Sequence, residues 1–438
     1  MLGGLAAAGA SALAACGRTG TGTVWADPVA QASGSAGGTG VRPAVTLAPS
    51  RAAPVAAPRP GTAPYAKTVT DILTKYLKPT PDNPAHPGYA GAVAMVLVGG
   101  RTVLRVAVGD AVRYKAGPVE LPAAQRVKMR EDAIFDLASL TKVYTAILVL
   151  QLVDSGKVAL DKPVRTYLPE FTGAGKEAVT VAMLLAHTSA LPVGAKVTGM
   201  SGNTARWASV MSTPLVKGAK PGTTFRYSSV GLMVLGRLVE KLTGKSLDKA
   251  VRDLITTPMD LPDTGFTPLK WAPKDRLVAT DARTSRGLLR GTVHDDVSNI
   301  LGGVAGHAGI FGTARDVASI GEMLRIGGTY NGRRILSADV IKKALTNVNK
   351  GKPAIDAERP GRSADHGLGV EMNQPWFMGK LATPTSFGHT GFTGTSLLVV
   401  PDRKMTVVLL TNRAHPNWSW SDPDTHRVAV ANAIAAAA

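Results

Sequence analysis

Phe135-Asp136-Leu137-Ala138-Ser139-Leu140-Thr141-Lys142 is the most informative segment of this 438-residue chain. An apolar run to Asp154 follows it, so Ser139 is predicted to begin a helix and to share one helical face with Lys142, three residues on. A serine hydroxyl becomes a nucleophile when a nearby base takes its proton, and a lysine amine can serve as that base only when it is neutral. The lysine pKa must then fall from ~10.4 by about three units, which burial and the helix dipole both favour. Taken alone, the pattern also fits a serine that caps the helix and a lysine on the surface.

Strands are predicted near both ends of the chain, with helices between them. Two β-rich runs flank Gly99-Gly100, which is a hairpin signal, and a second pair of such runs flanks the turn 401–404. The predicted elements are a helix at 66–77, strands at 91–98 and 101–108, helices at 141–154 and 230–242 that end at Gly156 and Gly244, and strands at 395–400 and 405–411. This order predicts an α/β (α+β) fold in which both chain ends build an antiparallel sheet around an inserted helical region. A doubly wound parallel sheet would alternate strands and helices throughout, and is disfavoured.

Two further segments follow in chain order, Phe225-Arg226-Tyr227-Ser228-Ser229 and Gly388-His389-Thr390-Gly391-Phe392. Together with the first segment they resemble the three motifs of the penicillin-recognising serine hydrolases, the family of class C β-lactamases, DD-carboxypeptidases and related esterases. The resemblance covers roughly residues 66 to 435 and implies the serine β-lactamase-like fold. The flanking segments are also similar to those of the family: Leu184 to Ser189 resembles Leu-Leu-x-His-Thr-Ser, although Ala190 replaces the glycine that follows, His366 to Gly369 resembles Tyr-Gly-Leu-Gly, and Val293 to Gly309 is similar to the subgroup that contains penicillin-binding protein 4B.

The resemblance implies three catalytic residues. Ser139 would attack a carbonyl group and form an acyl-enzyme, while Lys142 and Tyr227 would share the work of the general base. Which of the two takes the proton is left open, because the pair titrates together. Without the other motifs, Tyr227 would be interpreted as a core aromatic residue with its hydroxyl satisfied.

The resemblance also implies a substrate-binding wall. His389, Thr390 and Gly391 would line the cleft, and the N–H of Phe392 would join that of Ser139 in binding the oxyanion. Taken alone, Gly391 would be a strand glycine at a bulge. Two substitutions depart from the family pattern, since Ser229 replaces the usual Asn and His389 replaces the lysine of β-lactamases. Both weaken the case for β-lactamase activity more than the case for hydrolysis.

The predicted function is hydrolysis of an ester or a peptide-like amide, with no cofactor and no metal. A DD-carboxypeptidase that acts on wall peptides and a catalytically silent penicillin- or wall-binding module are the alternatives. His187 and His307 are interpreted as structural residues. A metal site from residues 294–296 with His307 is disfavoured, because the spacing matches no zinc pattern.

The beginning of the chain has the features of a bacterial lipoprotein. Residues 1–15 are apolar enough for a signal peptide, and Leu13-Ala14-Ala15-Cys16 resembles a lipobox in which Cys16 is lipidated. No Lys or Arg precedes Cys16, so an unprocessed apolar tail is the alternative. Residues 16–64 are rich in Gly, Ala, Pro, Thr and Ser and are predicted to tether the hydrolase domain, 65–438, to a membrane outside the cytoplasm.

Composition is consistent with an envelope protein. Lys and Arg number 50 against 31 Asp and Glu, a formal charge of +19, which favours anionic surroundings such as phospholipid headgroups or acidic wall polymers. The basic residues are scattered and no nucleic-acid-binding signature is present, so nucleic acid is not expected as a partner. A single cysteine excludes an internal disulfide.

Overall fold

The apolar runs at the two ends of the chain pair with each other in one seven-stranded antiparallel sheet. The structure, a computed structural model, describes residues 63–356 and 359–437, so Cys16 and most of the predicted tether lie outside the described residues. The predicted boundaries at residues 15/16 and 64/65 therefore stay predictions. The strands are β1 Gly91–Val98, β2 Arg101–Val112, β3 Tyr114–Lys115, β4 Val119–Glu120, β5 Val127–Lys128, β6 Phe135–Asp136, β7 Gly265–Phe266, β8 Ala279–Asp281, β9 Leu289–Arg290, β10 Ile310–Gly312, β11 Thr329–Tyr330, β12 Arg333–Arg334, β13 Glu371–Met372, β14 Phe387–Thr390, β15 Thr395–Val400 and β16 Met405–Thr411.

The order of strands in the large sheet is β13-β14-β15-β16-β1-β2-β5. Strand β1, from the beginning of the chain, lies between β2 and β16, and Met95 is opposite Val408 in the register. Both predicted hairpins are confirmed, and Gly99 and Gly100 have φ of +58° and +80°, the left-handed conformation that a tight hairpin turn requires. The predicted fold class is also confirmed.

Helices cover both faces of this sheet. They are α1 Ala66–Lys75, α2 Thr141–Asp154, α3 Val181–Leu185, α4 Asn203–Ser212, α5 Ser229–Thr243, α6 Leu247–Val251, α7 Asp296–Ile300, α8 Ala314–Arg325, α9 Ala338–Ala344, α10 Pro375–Met378 and α11 Pro423–Ala437. None of the helices in the described part of the chain is both long and apolar enough to span a membrane.

Alternation along β1 separates two apolar cores. Val93, Met95 and Leu97 point into the core that contains α2, α5 and α8, whereas the residues between them face α1 and α11. Helix α2 is buried around nearly its whole circumference and packs against α5, as its continuous apolar sequence predicts. Helix α2 is therefore a rigid support for Lys142, which lies in its first turn.

Several short strands are not predicted from the sequence. The small sheet β6-β10-β7 pairs Phe311 with Asp136 and so fixes the segment just before α2. Strands of two or three residues give no periodic pattern to read. The prediction that Ser139 begins the helix is wrong by two residues: Ser139 lies in a 3-10 turn, Ala138–Leu140, and α2 begins at Thr141.

Candidate active site

Ser139 and Lys142 lie side by side where α2 begins. Ser139 occupies the turn Ala138–Leu140, called the nucleophile turn below, and remains partly exposed. The Nζ atom of Lys142 donates to Ser139 Oγ across 2.8 Å. The structure thus brings the predicted nucleophile and one predicted base into direct contact.

Lys142 is enclosed, with 1% of its surface exposed. Its Nζ also donates to the carbonyl oxygen of His307 at 3.0 Å and lies 5.0 Å from the centre of the Tyr227 ring. Burial lowers the pKa of Lys142 from 10.5 to about 7, because desolvation disfavours the ammonium, while the carboxylate of Asp295 limits the fall. A large fraction of the amine is therefore neutral at neutral pH and able to accept the Ser139 proton.

Asp136 fixes the nucleophile turn, a role that the sequence analysis missed. Its buried carboxylate accepts hydrogen bonds from the backbone N–H of Ala138 at 2.9 Å and of His294 at 2.7 Å. Its carbonyl oxygen accepts a third from the Thr393 hydroxyl at 2.8 Å. Ala138 has φ of +47°, an unfavourable conformation for a residue with a side chain, so the turn depends on such support. The signal in the sequence was an acidic residue within an apolar run, three residues before Ser139.

Tyr227 enters the site from the segment before α5, held there by His187. The N–H of Arg226 donates to the His187 carbonyl at 2.7 Å, and the N–H of Ser228 donates to His187 Nδ1 at 3.1 Å. The rings of His187 and Tyr227 lie 4.6 Å apart, centre to centre. Burial raises the pKa of Tyr227, with the Ser139 hydroxyl acting in the opposite direction, so the phenol stays protonated at neutral pH. The structural role expected of His187 is thus the placing of Tyr227.

Ser229 is the first residue of α5 and is partly exposed. The cap of this helix is Ser228, whose hydroxyl oxygen accepts from the N–H of Gly231 at 3.2 Å and whose proton goes to the carbonyl of Pro192. Ser229 is therefore not needed as a helix cap. Its contact with substrate, at the position of the usual Asn, stays a prediction.

Strand β14 and the two residues after it form the opposite wall. His389 and Thr390 end the strand and pair with β15, and Gly391 follows. A side chain on Gly391 would meet the carbonyl oxygen of Leu137 at 2.5 Å, so glycine lets the strand lie directly on the nucleophile turn. This close approach, rather than a bulge, explains the glycine. Phe392 comes next, and its role as an oxyanion donor stays a prediction.

The ring of His389 is enclosed and uncharged. Its Nδ1 atom lies 2.8 Å from the carbonyl oxygen of Thr390, so Nδ1 carries the proton and Nε2 does not. Burial, helped by the charge of Lys142, lowers the pKa of His389 to about 3. The imidazole is therefore neutral at neutral pH, and it gains no charge in mild acid either. His389 cannot replace the lysine cation that β-lactamases have at this position.

A carboxylate–imidazole pair lies beside Lys142. Asp295 Oδ1 is 2.9 Å from His307 Nε2 and also accepts the N–H of Ser298 at 2.7 Å. Burial opposes the ionisation of Asp295, but these hydrogen bonds outweigh it and hold the pKa of its carboxyl below the usual range. Asp295 is thus a permanent negative charge near the base. In the chain as described, no group of three or more His, Cys, Asp or Glu side chains is arranged to hold a metal.

Two exposed aromatic side chains flank this wall. Phe392 is 42% exposed and Trp418 is 40% exposed, and their ring centres are 5.6 Å apart. The guanidinium of Arg413 lies 4.6 Å from the Phe392 ring and donates to the carbonyl of Trp418. The ring of His294, a residue whose backbone N–H donates to Asp136, lies 5.5 Å from the Phe392 ring, centre to centre. The surface that adjoins the nucleophile turn is therefore apolar, and the buried guanidinium of Arg413 lies behind it.

Comparison with known proteins gives the same picture over most of the chain. Residues 69–432 match the sequence model of the β-lactamase family. The putative D-alanyl-D-alanine carboxypeptidase of Escherichia coli strain K12 is 31% identical over 364 residues, which cover 75% of this chain and 79% of that protein. The N-acetylmuramyl-L-alanine amidase of Bacillus subtilis strain 168 is 30% identical and aligns with 75% of this chain and 78% of its own length. The crystal structure of a penicillin-binding protein homologue from Caulobacter crescentus superposes with a TM-score of 0.64 at 23% identity, over 86% of this chain and 99% of that one.

Proposed function

The chain belongs to the β-lactamase family, and from that membership we propose that it is a serine hydrolase that cleaves an ester or a peptide-like amide through an acyl-enzyme on Ser139. One observation carries the proposal: the hydroxyl of Ser139 lies 2.8 Å from a buried lysine amine whose pKa is about 7. A serine within hydrogen-bonding reach of a neutral amine is an activated nucleophile.

Acylation begins when Lys142 Nζ takes the hydroxyl proton and Ser139 Oγ bonds to the carbonyl carbon. The negative charge that develops on the carbonyl oxygen is stabilised by the N–H groups of Ser139 and Phe392. The bond to the leaving group then breaks, and the leaving group receives a proton from the Lys142 ammonium by way of the Tyr227 hydroxyl, which both donates and accepts. Water then attacks the acyl carbon while Lys142 takes one of its protons. The bond from the acyl carbon to Ser139 Oγ breaks, the Lys142 ammonium returns the proton to Oγ, and the acid product leaves.

The environment of the nucleophile favours an uncharged substrate. His389 is neutral, and the exposed rings of Phe392 and Trp418 offer an apolar surface for an acyl or leaving group. We expect uncharged esters to be hydrolysed faster than β-lactams, whose carboxylate would need a cation on this wall.

Carboxypeptidase action on wall peptides is the second candidate. The two relatives are named for D-alanyl-D-alanine and for N-acetylmuramyl-L-alanine. A peptide that ends in D-alanine carries a carboxylate, and Arg413, behind the Phe392 ring, is the cation that could approach it. A preference for such peptides over neutral esters would favour this candidate.

We also propose that the enzyme is held outside the cytoplasm by lipid on Cys16. The support is the sequence alone: an apolar segment that ends in the lipobox-like Leu13-Ala14-Ala15-Cys16, followed by a Gly-, Ala- and Pro-rich stretch of a length suited to a tether.

The proposed activity is tested with a substrate panel on wild type and Ser139→Ala. The panel contains a p-nitrophenyl ester, a D-alanyl-D-alanine peptide and a chromogenic cephalosporin, with fluorescent fluorophosphonate and fluorescent penicillin as covalent labels. We expect ester hydrolysis and labelling by wild type and neither by Ser139→Ala, which should keep its melting temperature. Turnover by Ser139→Ala would refute the assignment of the nucleophile. Labelling without turnover of any substrate would favour a silent binding module.

A further inference from the structure

Arg427 belongs to none of the three sequence motifs, yet it contacts Gly391, directly after β14. It belongs to the carboxyl-terminal helix α11, and 3% of its surface is exposed. Its Nη2 atom donates to the carbonyl of Gly391 at 2.7 Å and to that of Thr395 at 2.8 Å. Its Nη1 atom donates to Asp424 Oδ1 at 2.7 Å, which orients the guanidinium from the same helix.

The Gly391 carbonyl belongs to the peptide unit that supplies the N–H of Phe392. A trans peptide is planar and directs its C=O and N–H to opposite sides. The Gly391 oxygen accepts from Arg427 and from the N–H of Gly394 at 3.0 Å, so its direction is fixed from two sides. The N–H of Phe392 must then point away from Arg427 and from the turn 391–394.

The peptide between Gly391 and Phe392 lies directly against the nucleophile turn. A Cβ on Gly391 would lie 2.5 Å from the Leu137 carbonyl and 3.3 Å from the Ala138 Cβ. The hydroxyl of Thr395 also donates to the Leu137 carbonyl at 3.0 Å, which ties β15 to the same turn. A rotation of the peptide between Gly391 and Phe392 would therefore change the direction of its N–H relative to Ser139.

We infer that Arg427 is a positioning residue for the oxyanion donor at Phe392, acting through the Gly391 carbonyl. The inference rests on the proposed function, since it concerns the oxyanion of the reaction at Ser139. The buried guanidinium acts in two ways. It fixes the plane of the peptide, and its positive charge on the carbonyl polarises the same peptide, which strengthens the N–H as a donor.

The test compares Arg427→Met and Arg427→Lys with wild type in hydrolysis of a p-nitrophenyl ester and in inhibition by phenylboronic acid. The boronic acid forms a tetrahedral anion on a reactive serine and so reports on oxyanion stabilisation, whereas KM reports mainly on ground-state binding. Loss of a whole oxyanion donor costs about 100- to 1000-fold in kcat, so a misdirected donor in Arg427→Met should cost roughly 10- to 100-fold.

The control is Arg325→Met. Arg325 is a second helical arginine, only partly exposed, whose hydrogen bonds go to Glu322 on its own helix α8, so its loss costs stability without touching Gly391. All variants are assayed well below their melting temperatures. Arg427→Lys keeps the charge but loses the planar pair of donors, and should recover part of the lost kcat.

The expected result is a kcat loss in Arg427→Met with KM within about threefold of wild type, a boronate Ki that rises by about the same factor, and an Arg325→Met kcat near wild type. A kcat for Arg427→Met equal to that of Arg325→Met, or an unchanged boronate Ki, overturns the inference. If Arg427→Met does not fold, the same comparison with Arg427→Lys decides. Failure of the proposed function looks different, because wild type itself would then resist fluorophosphonate.

Discussion

Replacing Lys142 by methionine should remove activity and also change how the stability of the protein depends on pH. Burial lowers the pKa of Lys142 from 10.5 to about 7. At 1.36 kcal/mol per unit, this shift means that folding destabilises the ammonium by about 5 kcal/mol relative to the neutral amine. The same burial that destabilises the ammonium keeps a neutral base beside Ser139, which is a trade of stability for activity.

Lys142 makes the free energy of unfolding depend on pH because the folded and unfolded chains hold its proton over different pH ranges. Between pH 7 and pH 10.5 the unfolded chain holds a proton on Lys142 that the folded protein largely lacks. The free energy of unfolding of wild type therefore gains up to about 1.4 kcal/mol per pH unit from this residue as the pH rises. Above pH 10.5 there is no penalty, and below pH 7 the penalty is complete. Lys142→Met lacks the dependence, so its stability relative to wild type should fall by about 3–4 kcal/mol between pH 7 and pH 10.

The assay is urea unfolding of both proteins at intervals from pH 7 to pH 10. The comparison uses only the slope of the unfolding free energy against pH. The variant also lacks the hydrogen bonds from Lys142 to Ser139 and His307, and their loss adds an offset that does not depend on pH. Lys176 offers a matched control: it is a second buried lysine, bonded to the Met211 carbonyl, and burial lowers its pKa to about 8. Lys176→Met should lose slope only above about pH 8 and should keep its activity. Parallel curves for wild type and Lys142→Met would refute the lowered pKa and with it the assignment of the base.

Four further outcomes are expected. Asp295→Asn should shift the acid limb of the plot of kcat/KM against pH about one pH unit lower, because the carboxylate that favours the Lys142 ammonium is gone. An acid limb whose midpoint stays in place or moves to higher pH would contradict this. His389→Gln should leave the ionisations of the profile between pH 5 and pH 8 unchanged, since the imidazole does not titrate there, and a lost ionisation would mean that it does. Trp418→Ala should lower kcat/KM for an aromatic ester by roughly 5- to 10-fold more than for an acetate ester, and equal losses would exclude an apolar subsite. Cys16→Ser, expressed in a bacterial host, should no longer sediment with the membrane fraction on centrifugation. If the variant still sediments with membranes, lipid on Cys16 is not what anchors the protein.

The large elements could be predicted because each has a strong local signal. The two hairpins and helix α2 follow from alternation, glycine turns and continuous apolar sequence, and they agree with the observed bounds Gly91–Val98, Met405–Thr411 and Thr141–Asp154. The contact between Ser139 and Lys142 could also be predicted, since the two residues are three apart at the start of a helix, but the burial of Lys142 could not be read from that spacing.

The supporting residues of the site could not be predicted, because their roles depend on contacts between distant segments. Asp136 holds the nucleophile turn by bonding His294, and Arg427 reaches Gly391 from the last helix. No spacing rule connects such pairs. The pKa of His389 could not be predicted either. The sequence shows that a histidine replaces lysine at this position, but its pKa of about 3 results from burial by segments that are distant in the chain.

The proposed mechanism depends on a neutral Lys142 amine that activates Ser139 at neutral pH. The most direct test is the rate of covalent modification by a fluorophosphonate from pH 5 to pH 9, with the modified residue located by mass spectrometry. We expect a single adduct on Ser139, formed at a rate that rises through one ionisation near pH 7 and levels off above it. An adduct on another residue, or a rate that keeps rising toward pH 10 as an ordinary lysine would require, would contradict it.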